Sequence, residues 1–154
     1  MADAEFFLNG VFLTGPCLAA NTIADLSISA TIGERFAGIQ EAFVAADAEP
    51  ILVEVQKWEA DIGYAITHQL MTEHPDVTAI LAANDAVAFG VYQALGERGL
   101  RIPDDFSVAS FDDEVLANYH RPGLTTAHLP YETMGRHGVE MLIGVRPLES
   151  ELLP

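Results

Sequence analysis

The sequence predicts an α/β domain with a doubly wound parallel sheet. Five short β-rich runs alternate with helical patterns along the 154 residues, which is the order that parallel strands with right-handed crossovers require. The runs at 51–55 and 78–83 are apolar without alternation, as strands covered on both faces are. The helical patterns between the runs carry apolar stripes. Together these observations favour a sheet with helices on both faces.

The first half of the chain is predicted to contain two strands and two helices. Strands at 11–15 and 51–55 enclose a helix at 34–46, whose apolar stripe consists of Phe36, Ile39, Phe43 and Val44. The next helix runs from 59 to Pro75, which ends it, and its stripe consists of Ile62, Ala65, Ile66 and Leu70. The segment 15–33 is long for a loop, so it is either functional or contains an element that the pattern does not reveal.

The second half continues the alternation. After the strand at 78–83, Asp85 fits the N-cap of a helix, and Gly99 fits the left-handed position that follows its end. The remaining predicted elements are a strand at 106–111, a short helix at 114–119, a strand at 124–128 and a helix at 131–143.

The composition argues against two functional classes. The chain has 23 acidic and 7 basic residues, a net charge of −16, and binding to nucleic acid requires basic residues that neutralise phosphates. No apolar run reaches the roughly 18 residues of a membrane span, and the first residues lack a basic signal segment. The lone Cys17 cannot form an internal disulfide, which fits a reducing cytoplasm. We therefore expect a cytoplasmic protein that binds neither membranes nor, by itself, DNA.

Polar and aromatic side chains gather where the predicted strands end. Arg35 starts the first helix, Trp58 follows the second strand, Asn84 and Asp85 follow the third, and Asp112 follows the fourth. Open parallel sheets bind ligands at this carboxyl edge. A flat indole, a guanidinium fork, an amide and a carboxylate suit a ligand rich in hydroxyl groups.

Each of these residues also has an ordinary structural explanation. Asp85 is more simply an N-cap, Trp58 a half-buried packing residue, and Arg35 a solvated charge, while for Asn84 a loop hydrogen bond and a ligand contact are evenly balanced. Their shared location, and no single residue, favours a binding site. Asp112 and Asp113 are also a conceivable but weak Mg²⁺ pair.

No catalytic or cofactor motif accompanies this set. The sequence lacks a nucleophile elbow, a phosphate-binding loop, a dinucleotide fingerprint and a zinc-protease motif. The five histidines show no metal-ligand spacing. We therefore predict no catalytic residue, no metal and no cofactor.

Long motifs resemble one family. The stretches "TAILAANDAVAFGVYQALGERGLRIPDDFSVASFDD" and "RPGLTTAHLPYETMGRHGVEML" resemble the effector-binding domain of LacI/GalR-type transcription regulators, and the resemblance extends from Val11 to about Ile143. It implies a small effector, often a sugar or nucleoside-like molecule, held in a cleft between two subdomains. By motif, Arg35 would grip this ligand, Trp58 would stack on it, and Asn84 and Asp112 would hydrogen-bond to it.

The resemblance also implies a division of the chain. Residues 1–10 would be the end of a preceding helix or crossover, 11–127 the C-terminal subdomain, and 128–154 a helix and tail that belong to, or cross from, the N-terminal subdomain. That subdomain and the helix-turn-helix headpiece are absent before Val11, so operator DNA would be bound only through them. Ser110 stands where the family usually has glycine.

The resemblance further implies a homodimer. Apolar residues of the third helix are candidates for its surface, although packing on the sheet explains most of them more simply; they are Val87, Val91, Tyr92 and Leu95.

Two other functions compete with a regulator's effector sensor. A sugar-binding protein of a transport system has the same fold, but it would need an export signal and a longer chain. A small metal-dependent enzyme would use Asp112 and Asp113, and activity that depends on a metal would identify it.

Overall fold

The protein, as a computed structural model, is described here for residues 10–14, 26–48, 50–54 and 57–145. The predicted order of elements is confirmed, and both ends of every strand lie within one residue of the prediction. The strands are β1 (Gly10–Thr14), β2 (Ile51–Glu54), β3 (Ala79–Ala82), β4 (Ser107–Asp112) and β5 (Thr125–His128). The helices are α1 (Leu26–Ala45), α2 (Ala60–Glu73), α3 (Asp85–Glu97), a 3₁₀ helix (Val115–Tyr119) and α4 (Tyr131–Leu142).

The five strands form one sheet in the order β2-β1-β3-β4-β5. Every neighbouring pair is parallel, as the apolar runs predicted. The chain moves from β1 outward to β2 and then returns past β1 to β3. The order therefore reverses between β1 and β3, and in open α/β sheets the crevice for a ligand lies at this reversal.

The predicted long loop at 15–33 is partly helical. Helix α1 begins at Leu26, so the second half of the segment is the element that the pattern had not revealed. Residues 15–25 lie outside the described residues. The same holds for 1–9 and for 146–154, so the predicted roles of the two chain ends rest on the sequence alone. Gly10 was predicted to belong to the preceding crossover, but it is the first residue of β1.

Helices α2 and α3 pack together through two glycines. A Cβ built on Gly63 would lie 2.2 Å from the carbonyl oxygen of Val87, and one on Gly90 would lie 1.8 Å from that of Ala60. Both distances are far below van der Waals contact, so only glycine lets the two backbones meet here. Next to this crossing, buried Thr67 donates its hydroxyl to the Gly63 carbonyl oxygen at 2.7 Å.

The hydrophobic core lies under α3. Val87, Val91 and Leu95 have no exposed surface and pack with residues of β3 and β4 such as Ile80 and Val108. These three helix residues therefore belong to the core, which confirms the simpler explanation of packing on the sheet, and half-buried Tyr92 is the candidate that is left for a dimer surface.

Two predicted apolar stripes are partly wrong. Val44 of α1 is 79% exposed, whereas Ile39 is buried. Successive residues of a helix lie about 100° apart, so Val44, which directly follows Phe43, lies outside the buried face. Ala65 of α2 is also exposed. The buried face of α2 consists of Gly63, Thr67 and Leu70, since this helix turns its glycine face towards α3.

Helix α4 has no buried residue. Four of its large apolar side chains are about half exposed or more; they are Tyr131, Met134, Val139 and Leu142. None of the helices in the described part of the chain combines the length and apolarity that a membrane crossing needs.

Candidate functional site

Asn84 joins the end of β3 to the start of α3. Its side-chain oxygen accepts a hydrogen bond from the Val87 backbone N–H at 2.9 Å, and its Nδ2 donates to the Trp58 carbonyl oxygen at 3.3 Å. Asn84 has extended backbone angles, whereas Asp85 is already helical. The N-cap is therefore Asn84, and the prediction that Asp85 fills this position is wrong.

Arg35 reaches from α1 across the ends of β3 and β4. Its Nη1 donates to the Ala83 carbonyl oxygen at 3.0 Å, and its guanidinium carbon lies 4.5 Å from the centroid of the Phe111 ring. A cation over an aromatic face is attracted by the ring quadrupole. These contacts place Arg35 beside the residues that immediately precede Asn84 and Asp112.

Asp112 ends β4 in an unusual backbone conformation. Its φ is +106°, and that of Asp113 is +52°, a region that costs about 1–3 kcal/mol for a residue with a side chain and is common in binding sites. Burial raises the pKa of the Asp112 carboxyl above its ordinary value; the nearby Arg35 guanidinium opposes this, and the charges of Asp85 and Glu114 add to it. A partly desolvated acceptor of this kind forms strong hydrogen bonds with ligand hydroxyl groups.

Trp58 lies next to Asn84 through its backbone. Its side chain is half-buried and packs partly against the core beneath α3, so the packing explanation accounts for part of the ring. Three of the four predicted ligand residues, Arg35, Asn84 and Asp112, thus meet at the ends of β3 and β4, and Trp58 adjoins them at Asn84.

Two residues of this edge were not among the predicted ligand residues. The Arg35 guanidinium lies over the ring of Phe111. The only sequence signal for this contact was an aromatic residue next to the acidic residues at the end of the strand. Asp85 is 1% exposed and accepts hydrogen bonds from Ser110, Thr126 and the Glu114 backbone. Burying a carboxylate without such partners costs several kcal/mol.

Asp113, the second residue of the conceivable Mg²⁺ pair, contacts a histidine. The Asp113 carboxylate lies 3.0 Å from His128 Nδ1 at the end of β5. Within the described ranges, no group of three or more His, Cys, Asp or Glu side chains is placed to hold a metal ion. The metal-enzyme interpretation therefore has no supporting geometry in this part of the chain.

The comparisons with known proteins agree with this architecture. Residues 20–148 match the model of a family described as periplasmic binding protein-like domain. Among curated proteins, the chain is similar to the HTH-type transcriptional regulator CelR of Thermobifida fusca, with 34% identity over 71% of this chain and 33% of the relative. It is also similar to the HTH-type transcriptional repressor PurR of Vibrio atlanticus, with 35% identity over 71% of this chain and 34% of the relative.

Solved structures give the same result. The Lac repressor bound to ONPG matches 95% of this chain and 43% of its own, with 29% identity and a TM-score of 0.77. A LacI family regulator from Arthrobacter sp. FB24 in complex with lactose matches 89% of this chain and 47% of its own, with 28% identity and a TM-score of 0.70. The chain spans about a third of the length of the curated relatives it matches.

These relatives are transcription regulators, neither enzymes nor transport proteins, and they do not favour the transport alternative. The fold and the matched family agree with one another. The chain therefore belongs to the family of periplasmic binding protein-like domains, and its relatives within that family are the LacI-type transcription regulators.

Proposed function

We propose that this chain is the effector-sensing part of a LacI-type regulator and that its effector is a sugar or a sugar-like molecule. The observation that carries the proposal is the meeting of Arg35, Asn84 and Asp112 at the ends of β3 and β4. Arg35 bonds to Ala83 at 3.0 Å and lies over Phe111, so donor and acceptor groups lie together at this edge of the sheet. Hydroxyl groups on a sugar ring need such paired donors and acceptors.

In this function the chain binds the ligand and does not change it chemically. Ligand binding would favour one of two cleft geometries, and the shift would alter the affinity of a DNA-binding part that is not in this sequence. The net charge of −16 supports a regulator in which this part binds the effector and a different part binds operator DNA.

Helix α4 supports a second part of the proposal. We assign 11–127 to the C-terminal subdomain and 128–154 to a segment that joins or crosses from an N-terminal subdomain. Val139 and Leu142 of α4 are 56% and 86% exposed, and an amphipathic helix with an open apolar face needs a partner. The short share of its relatives that the chain spans fits this assignment.

The titration of the 154-residue chain with lactose, with simple hexoses and pentoses, and with adenosine tests the sensor proposal. Emission of Trp58 is one readout, and the amide NMR resonances of Asn84, Asp112 and Asp113 are a second that detects weak binding. We expect one sugar to give saturable changes in both. Adenosine saturating alone would contradict the sugar assignment, and no saturable change with any compound would contradict the sensor proposal.

A homodimer is the third part of the proposal. Val115, Leu116 and Tyr119 of the 3₁₀ helix are 73%, 43% and 71% exposed, and exposed apolar clusters are common at protein interfaces. The following His120 packs on Tyr92 of α3, with ring centroids 4.4 Å apart.

The dimer proposal predicts that the chain sediments as a dimer and that Leu116→Glu sediments as a monomer with an unchanged melting temperature. Sedimentation equilibrium checks this, with Val44→Glu on α1 as a control of similar chemistry. A wild-type chain that stays monomeric at high concentration, or a dimer that Leu116→Glu leaves intact, would contradict it.

A further inference from the structure

The buried carboxylate of Asp85 connects three separate parts of the carboxyl edge. Ser110 of β4 and Thr126 of β5 both donate to its Oδ1, the latter at 2.7 Å, and the Glu114 backbone N–H donates to its Oδ2 at 2.7 Å. Ser110 and Thr126 are direct partners in the β4–β5 register, which is why both hydroxyls reach one oxygen. A helix N-cap needs none of these contacts, so capping does not explain them.

The donors to Asp85 flank the strained residues of the proposed ligand site. Ser110 lies two positions before Asp112 and Glu114 two positions after it. Between them, Asp112 and Asp113 have φ angles of +106° and +52°. Such angles persist only where the surrounding structure holds them, and Asp85 is bonded to the chain on both sides of this pair.

Thr126 links the strained pair itself to Asp85. Its Oγ1 accepts the Asp113 backbone N–H at 3.1 Å, so its single hydroxyl hydrogen is free to donate to Asp85. The result is a directional chain from the Asp113 amide through the Thr126 hydroxyl to the Asp85 carboxylate. Valine at this position would keep the shape and remove both bonds, whereas serine would keep both bonds.

We propose that Asp85, acting through Ser110, Thr126 and the Glu114 amide, is the positioning residue that aims Asp112 at the ligand. This inference rests on the proposed function for its consequence in binding. The geometry of the Asp112–Asp113 turn can be measured without any ligand, however. Failure of the sensor proposal and failure of the positioning proposal therefore give different results.

The test compares Thr126→Val with Thr126→Ser, and uses Thr125→Val on the exposed side of the same strand as the control. In the ligand-free chain, we expect Thr126→Val to shift the amide resonances of Asp112 and Asp113 and to speed hydrogen exchange at the Asp113 amide. Thr126→Ser restores both, and Thr125→Val changes neither. Rescue by serine separates the hydroxyl bonds from the packing of the side chain.

The same variants are then titrated with lactose, or with the sugar that responds in the panel above. Thr126→Val should weaken binding by at least about ten-fold, because a small misplacement of a polar group is costly, and Thr126→Ser should bind within about two-fold of wild type.

Unchanged Asp112 and Asp113 resonances in Thr126→Val, with only a lower melting temperature, would overturn the positioning proposal. So would altered resonances with wild-type sugar affinity. If no sugar binds even the wild-type chain, the sensor proposal fails alone, and the ligand-free comparison of valine with serine still decides whether the Thr126 hydroxyl, through which Asp85 acts, positions this turn.

Discussion

Gly90→Ala is expected to lower the free energy of unfolding by about 3 kcal/mol or more. The new Cβ would lie 1.8 Å from the Ala60 carbonyl oxygen and 2.5 Å from the Tyr64 backbone nitrogen. Both neighbours are main-chain atoms of α2, so neither can rotate away, and the two helices must separate above the core. Overpacking of this kind costs about 1–3 kcal/mol even where flexible side chains give way.

Gly96→Ala, in the same helix, is the matched control. No heavy atom beyond its own helix lies within 4 Å of a Cβ at Gly96. Alanine is favoured over glycine inside a helix by about 1 kcal/mol, so this variant should be slightly more stable than wild type. Urea unfolding of both variants measures the difference, and equal stability of the two would show that α2 and α3 do not meet at Gly90.

Asp112→Asn is expected to weaken sugar binding by about 100-fold while it raises the melting temperature. The loss follows from replacing a charged acceptor, whose hydrogen bonds contribute about 1.5–3 kcal/mol, with a neutral amide. The gain in stability follows from the raised pKa of Asp112, whose main cause is burial. A binding residue that destabilises the free protein is a common cost of function.

The contribution of Asp112 to the stability of the folded chain depends on pH. The pKa of Asp112 lies higher in the folded chain than its ordinary value of 3.8, so the folded state holds the proton more tightly than the unfolded state. Its contribution to stability therefore falls as the pH rises from about 3.8 through the folded-state pKa, and it stays low above that. Asparagine cannot ionise and avoids this loss.

Melting temperatures of wild type and Asp112→Asn at pH 3 and pH 7 measure the effect. The variant should be the more stable protein at pH 7, and its advantage should shrink at pH 3, where both residues are neutral. Asp104→Asn, at a carboxylate that is 63% exposed and pairs with exposed Arg101 at 3.3 Å, controls for the removal of a surface charge. A variant that is less stable at pH 7, or that binds sugar as wild type does, would contradict the assigned role of Asp112.

The sheet could be predicted from the sequence because its information is local. The unbroken apolar run at 78–83 marks a strand buried on both faces, and Gly99, with φ of +72°, ends α3 as predicted. The same prediction is wrong for the run at 51–55, because β2 lies at the edge of the sheet and Leu52 is 48% exposed. The edge at which ligand residues gather follows from the parallel order alone. For the same reason Arg35, Asn84 and Asp112 were chosen from the sequence, whereas Phe111 and Asp85 were not.

The features that could not be predicted depend on contacts between residues that are far apart in the sequence. Asn84 and Asp85 are equally good N-cap residues by type. Only the structure shows that Ser110 and Thr126, which lie 25 and 41 residues further along the chain, donate hydrogen bonds to the Asp85 carboxylate. Glycines inside helical patterns can mark close packing between helices. Their pairing at Gly63 and Gly90, however, depends on how α2 and α3 cross.

The burial of α1 affects how binding and local opening are linked. Of the α1 side chains that the structure describes, at 35–45, Ile39 alone is buried, whereas α3 buries seven residues. Arg35 belongs to this thinly buried part of α1, whereas Asn84 begins α3 and Asp112 ends β4. A ligand bound to all three side chains would require this part of α1 to be docked, and by mass action it would stabilise the docked state. In the proposed function, the effector would thus hold α1 in place in addition to changing the affinity for DNA.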